Sequence, residues 1–201
     1  MRGTAAYAAG ALLLWNAAFL LVPRLGIWTS VGTAAAILTA LALALPVPWR
    51  ERLAPRPRAL LLGLAAAAVL AGASELLYRP LTQAWPALQA ESAALFALFG
   101  RPDALQAWVL LPAIAAAEEL IFRGALLEGL EARLSARSAA GLATALYALA
   151  HLASGSWALV GLAAVCGGLW TWLRSRTGSL WPGLLCHVLW DLCILVVLPL
   201  R

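Results

Sequence analysis

The feature that most constrains this chain is a series of apolar runs, each close to the thickness of a lipid bilayer. A membrane span needs about 20 predominantly apolar residues. Seven stretches reach or approach that length: roughly 4–22, 27–47, 59–78, 104–127, 138–153, 157–173 and 181–199. Hydrocarbon offers no water to bond backbone amides, so runs of this length must satisfy their own backbone as helices. Composition agrees, with 64% of the 201 residues hydrophobic and 11% charged. Soluble domains carry roughly 45–50% apolar and about 25% charged residues. The expected fold is all-α, a polytopic membrane helical bundle of about seven transmembrane helices, formed as a single integral membrane domain over residues 1–201. An eighth span is left open by the segment 81–99, which is amphipathic and flanked by prolines and Arg101. It reads better as an interfacial or re-entrant helix. The first run, MRGTAAYAAGALLLWNAAFLLVP, has the length of a signal peptide but no polar cleavage region, and more runs follow it. It is read as a retained first helix.

Charge sets the orientation. The 14 basic residues are all arginine, and arginine without lysine in an alanine- and leucine-rich chain points to a GC-rich genome, not a nucleic-acid surface. The sequence pI near 9.9 therefore reflects membrane orientation, and no nucleic-acid partner is expected. Arg50, Arg52, Arg56 and Arg58 share one loop, Arg133 and Arg137 a second, and Arg174 and Arg176 a third. With seven spans these loops lie on one side, the cytoplasmic side by the positive-inside rule. Arg2 places the N-terminus there too, in the cell inner membrane of a bacterium. Trp28, Trp49, Trp108, Trp157 and Trp181 fall near span ends, where an aromatic belt belongs. Cys166, Cys186 and Cys193 lie in apolar stretches without paired spacing and say little about redox compartment.

Ionisable residues inside spans are few and costly, on the order of 2.5–3.5 kcal/mol each on insertion scales, and they mark functional sites. Asn16 and Glu75 stand alone, which suits interhelical hydrogen bonding or a position near a span end. The other six are Glu118, Glu119, Arg123, His151, His187 and Asp191. Glu119 and Arg123 are four apart and share a helix face, whereas Glu118 points about 100° away. An ion pair accounts for two charges and leaves Glu118 without a local partner. The following turn centres near Ser135, with Glu119 sixteen residues before it and His151 sixteen after. Equal rise on both arms of a helical hairpin then puts Glu118, Glu119 and His151 at one depth. His187 and Asp191 form another pair four apart, in which the aspartate can accept from a ring nitrogen and set the tautomer. Two Glu and two His make either a buried general-base centre or a metal site.

Glu118-Glu119-x-x-x-Arg123, Tyr147-x-x-x-His151 and His187-x-x-x-Asp191 together resemble the CAAX protease and bacteriocin-processing family of intramembrane endopeptidases. The resemblance spans roughly residues 100–200, so that 1–100 hold N-terminal spans and 101–201 a catalytic core of that family's type. Two positions depart from the family pattern: Tyr147 stands where Phe is common, and Asp191 where Asn is common. Asn can donate a hydrogen bond to a developing oxyanion, but ionised Asp cannot. The resemblance implies an intramembrane protease in which Glu118, with His151, activates a water against a peptide carbonyl. It implies that Glu119 and Arg123 brace the site and that His187 and Asp191 stabilise the tetrahedral intermediate. No cofactor is required in the glutamate version, and one zinc ion in the metalloprotease version. The implied partners are the bilayer and a membrane-associated protein or peptide substrate; in myxosortase-like bacterial branches this is a C-terminal sorting tail. Three alternatives stand beside this reading. One is a cysteine-type protease using Cys186, although a side chain adjacent to His187 diverges from it by about 100° on a helix. The second is a non-proteolytic immunity factor or scaffold, which has no reason to carry the insertion cost. The third is a transporter, for which the chain lacks two matching halves with broken helices.

Overall fold

The computed structural model describes residues 2–99, 103 and 105–199. Arg101, expected to flank the segment 81–99, and Ala104, expected to open the fourth span, lie outside them. Ten α-helical elements follow in order among the described residues: α1 (Arg2–Leu25), α2 (Ile27–Leu43), α3 (Trp49–Arg52), α4 (Pro57–Ala84), α5 (Pro86–Phe99), α6 (Leu111–Glu118), α7 (Leu127–Glu131), α8 (Ala136–Ala150), α9 (Trp157–Thr177) and α10 (Trp181–Leu192). Gln106–Leu110, Glu119–Leu126 and Cys193–Val197 are π-helical. Junction residues Leu111, Glu118, Glu119 and Leu127 keep right-handed helical backbone, so residues 106–131 run as one rod with wider turns in two places. No strand occurs among the described residues. The protein is a multi-pass, all-α membrane bundle.

The chain reverses where its turn chemistry directs. Gly26 between α1 and α2 has φ 74, a left-handed position that glycine takes without a Cβ penalty. Ser135 and Ser156 cap α8 and α9, their hydroxyls accepting from the amides of Ser138 and Leu159. α9 ends at Gly178 with φ 66. The expected turn at Ser135 is therefore where the fourth and fifth segments reverse. By length and composition, Ala5–Leu25, Pro57–Ala84 and Trp157–Thr177 can cross a membrane, and Ile27–Leu43 and Trp181–Val197 are shorter apolar helices. The other two expected spans fall short for a physical reason. Residues 106–131 carry Glu118, Glu119, Arg123, Glu128 and Glu131, and the 15 residues of α8 rise only about 22 Å. α5 is a separate helix joined to α4 through Trp85, and it buries none of its residues.

α10 sits among α4, α6 and α9, with α4 laid along it. That contact is tightest at Gly63, where a Cβ would lie 2.9 Å from the Pro182 Cα. At the arginine-rich end, Glu128 of α7 accepts from Arg52 Nε at 2.9 Å and Nη2 at 2.8 Å, and from Arg174 Nη2 at 2.7 Å. The Glu128 hydrogen bonds hold the Arg52 guanidinium proton more firmly than usual. The α10 entrance joins this cluster through the Leu180 amide, which donates to the Arg52 carbonyl at 2.9 Å. Trp49 of α3 packs against Gly124, where a Cβ would come within 2.6 Å of its ring. The core beneath is filled by Trp15, Phe122, Trp170, Leu38 and Ile121, all nearly inaccessible.

Gly63→Leu should force α4 from α10, costing about 1–3 kcal/mol by overpacking. A thermal-unfolding midpoint in detergent equal to that of the parent would contradict this packing.

Candidate functional site

The Glu119–Leu126 segment is π-helical and carries Glu119 at its start and Arg123 within it. Turns of this kind often occur at functional sites. Arg123 is buried and bonded on every side. Its Nη1 donates to Glu119 Oε1 at 3.1 Å, its Nη2 to the Gly167 carbonyl at 3.0 Å, and its Nε to Thr171 Oγ1 at 3.4 Å. The guanidinium carbon lies 4.0 Å from the Tyr147 ring centroid and 5.3 Å from that of Trp170, so aromatic faces complete its shell. This is the expected Glu119–Arg123 ion pair, with both partners fully withdrawn from solvent.

Glu119 Oε1 is shared with a third group, His187 Nδ1, at 3.1 Å. A carboxylate oxygen only accepts, so this ring nitrogen carries the proton. The imidazole stacks on Trp170 with centroids 3.6 Å apart and planes at 17°. Its other nitrogen, Nε2, faces Asp191 Oδ2 at 3.6 Å and Glu118 Oε2 at 3.9 Å. The expected His187–Asp191 pairing is thus present as an electrostatic approach, while the hydrogen bond that sets the His187 tautomer comes from Glu119. Glu119 Oε2 is buried without a hydrogen-bond partner among the described residues. It rests against Gly183, where a Cβ would come within 2.6 Å.

Glu118, buried beside this pair, accepts a hydrogen bond from the Tyr147 hydroxyl. The hairpin spacing pointed to His151; the residue facing Glu118 is Tyr147, one helical turn earlier. His151 belongs to the same cluster at one remove. Its Nδ1 lies 2.9 Å from the Tyr147 carbonyl, to which it must donate, leaving Nε2 with a lone pair. Its ring packs against Tyr147 at 4.8 Å and Phe19 at 5.6 Å between centroids.

The structure thus brings Glu118, Glu119, Arg123, His187 and Asp191 together directly, and His151 through Tyr147. Cys186 is completely buried in the apolar core, Glu75 lies exposed on α4, and Asn16 hydrogen-bonds across to the end of α8. Four residues that shape the site escaped sequence reasoning: Trp170, Thr171, Gly167 and Gly183. A signal for them existed. Gly183, His187 and Asp191 recur every fourth residue on one face of α10, and Gly167 with Thr171 does the same on α9.

A zinc centre built on Glu119, His151 and His187 needs their donor atoms aimed at one point. Here Glu119 Oε1 is taken by Arg123 and His187, and His151 Nδ1 by a backbone carbonyl. Among the described residues no three His, Cys, Asp or Glu side chains gather as metal ligands. These hydrogen bonds leave Glu119 Oε2 and the Nε2 atoms of His151 and His187 as the atoms such an ion would use.

Arg123→Met should leave Glu119 as a buried, uncompensated charge and cost about 3–5 kcal/mol. Adding Glu119→Gln should restore most of the thermal stability. A double variant no more stable than Arg123→Met would show that the two side chains are not coupled.

Residues 100–193 match the model of a family described as type II CAAX prenyl endopeptidase Rce1-like. Neither the curated proteins nor the solved structures contain a match to the chain. The matched stretch carries the Glu118-Glu119-x-x-x-Arg123, Tyr147-x-x-x-His151 and His187-x-x-x-Asp191 sets that meet in the bundle. Over residues 100–193, a little under half of its length, the chain is similar to the Rce1-like CAAX prenyl endopeptidases, a family of membrane proteases.

Proposed function

We propose that the protein is an intramembrane endopeptidase that hydrolyses a peptide bond near the membrane using a water activated by Glu118. The observation that carries this reading is a buried carboxylate whose neighbouring arginine is already committed. Arg123 is taken up by Glu119, so Glu118 is left beside His187 and the Tyr147 hydroxyl. Glu118 takes one proton from the water as its oxygen attacks the peptide carbonyl, and returns it to the departing amine. General acid–base work of this kind contributes typically 10²–10⁴-fold. His151 Nε2, with Nδ1 held by the Tyr147 carbonyl, accepts from the same water and orients it. His187 Nε2, protonated when the ring is cationic, donates to the carbonyl oxygen as negative charge develops there. Asp191 donates to that oxygen only in its protonated form; ionised, it supports the cationic His187.

Glu119 and Arg123 act together as the brace. They fix the His187 ring through Nδ1 and hold the π-helical turn against α9. The reaction is metal-free in this reading, supported by the commitment of Glu119 to Arg123 and His187. The substrate is a membrane-associated protein or peptide, and removal of C-terminal sorting tails in a bacterial inner membrane is the role that suits a chain of this size. The N-terminus is cytoplasmic, on the side of the arginine-rich loops.

Reconstituted in liposomes with a tail-bearing candidate substrate, Glu118→Gln should lose about 10²–10⁴-fold in turnover, and Cys186→Ala should keep it. Turnover unchanged by Glu118→Gln would falsify the assignment of the base. One zinc per active chain, with activity lost on chelation, would overturn the metal-free mechanism. Tyr147→Phe removes one hydrogen bond to a charged acceptor, a contribution of about 1.5–3 kcal/mol. It should alter the pH dependence of turnover while leaving cleavage detectable.

A further inference from the structure

α8 ends at a hydrogen bond that is missing from its own ladder. In an uninterrupted helix the Ala153 amide would donate to the Leu149 carbonyl, four residues earlier. The chain instead leaves the α-helix at His151, which has φ −94 and ψ 1, and passes through a short 3-10 turn, Leu152–Ser154, to Gly155. The carboxamide of Asn16, from α1, takes the place of the absent bond. Its Nδ2 donates to the Leu149 carbonyl at 3.1 Å, and its Oδ1 accepts from the Ala153 amide at 2.8 Å. The second Nδ2 proton goes to the Leu12 carbonyl at 2.9 Å, which ties the side chain to its own helix. A primary amide is the one short side chain with both a donor and an acceptor in the geometry of a peptide group. A helix end leaves backbone groups without partners in its own ladder, and such a side chain supplies them.

His151 is the central residue of the five from Leu149 to Ala153 that Asn16 brackets. Trp15 and Phe19, on either side of Asn16, also approach the imidazole, with ring centroids 6.4 and 5.6 Å away. We infer that Asn16 is a positioning residue for His151, its carboxamide setting where the imidazole stands by replacing one hydrogen bond of the α8 ladder. α1 lies outside residues 100–193, so the N-terminal part of the chain completes a site whose ionisable residues all come from the C-terminal part. The inference rests on the role given to His151 above.

The chain contains two histidines, so nitrogen-15 histidine labelling yields one site signal and one internal control. Full-length protein in nanodiscs is compared as wild type, Asn16→Leu, Asn16→Asp and His151→Gln, the last assigning the spectrum. Asn16→Leu should lower kcat at least tenfold with KM within about twofold, and should shift the His151 ring resonances while those of His187 stay in place. Should Asn16→Leu fail to fold, Asn16→Asp carries the test: when ionised it keeps an acceptor for Ala153 but has no donor for Leu149, so the same pattern is expected. Unchanged kcat and an unmoved His151 signal in a folded variant would overturn the inference, as would equal displacement of both histidines. Full activity in His151→Gln would sink the proposed role of His151 itself, whatever the Asn16 variants do.

Discussion

Everything in the interior is arranged around one buried ion pair, Glu119 with Arg123. Two charges inside a membrane bundle are tolerated only when their geometry is good and their remaining hydrogen-bonding capacity is filled. That demand propagates outward. Arg123 has donors beyond the one given to Glu119, and they recruit the Gly167 carbonyl and the Thr171 hydroxyl of α9. Gly167 lacks a side chain where a Cβ would sit 2.8 Å from Nη2 and 2.5 Å from the Tyr147 ring. Glu119 in turn recruits His187 of α10 and presses on Gly183. One pair on one rod thereby dictates the approach of two neighbouring helices and the positions of two glycines.

The consequence is a division of labour between adjacent carboxylates. Glu119 is spent on structure, being bonded to Arg123 and His187 at 3.1 Å each. Glu118, one residue earlier, holds only a tyrosine hydroxyl and a more distant imidazole nitrogen. Two carboxylates next to each other in sequence acquire different partners because their environments differ, and the proposed mechanism gives the less committed one the proton-transfer duty. The aromatic residues serve the same end. Tyr147 joins the two halves, its hydroxyl at Glu118 and its carbonyl at His151, and Trp170 lies flat against His187. Beneath them the Arg52–Glu128–Arg174 cluster ties α3, α7 and α9 at the arginine-rich end, which fixes where α10 begins and so how deep His187 lies.

Much of this was legible beforehand because membrane insertion makes polar residues conspicuous. The apolar runs marked the helices, and six ionisable residues in them marked the site. The Glu119–Arg123 pair followed from helical spacing, and the reversal at Ser135 from the hairpin. What spacing did not reveal was the hydrogen bond that Glu118 accepts from Tyr147. Equal rise along both arms put His151 at the depth of Glu118 and Glu119, and the Tyr147 hydroxyl reaches Glu118 from one helical turn earlier. Nothing in ELIFRGAL signals its π-helical widening in advance, because it is bought by contacts with other helices. The glycines at 167 and 183 carried only a faint signal, their helical register with Thr171 and His187, since a missing Cβ has meaning only when something fills its place.

By itself the sequence determined that the chain is a helical membrane bundle and which side chains its interior must accommodate, because bilayer thickness and the cost of buried charge act on every residue locally. Tertiary structure alone decided which of those side chains meet. His187 bonds to Glu119 across sixty-eight positions of sequence separation and Asn16 to Leu149 across one hundred and thirty-three. Such pairings depend on the packing of whole helices, which no local spacing encodes. They turn a set of expensive residues into an ordered site, with one carboxylate anchored and its neighbour left free to work.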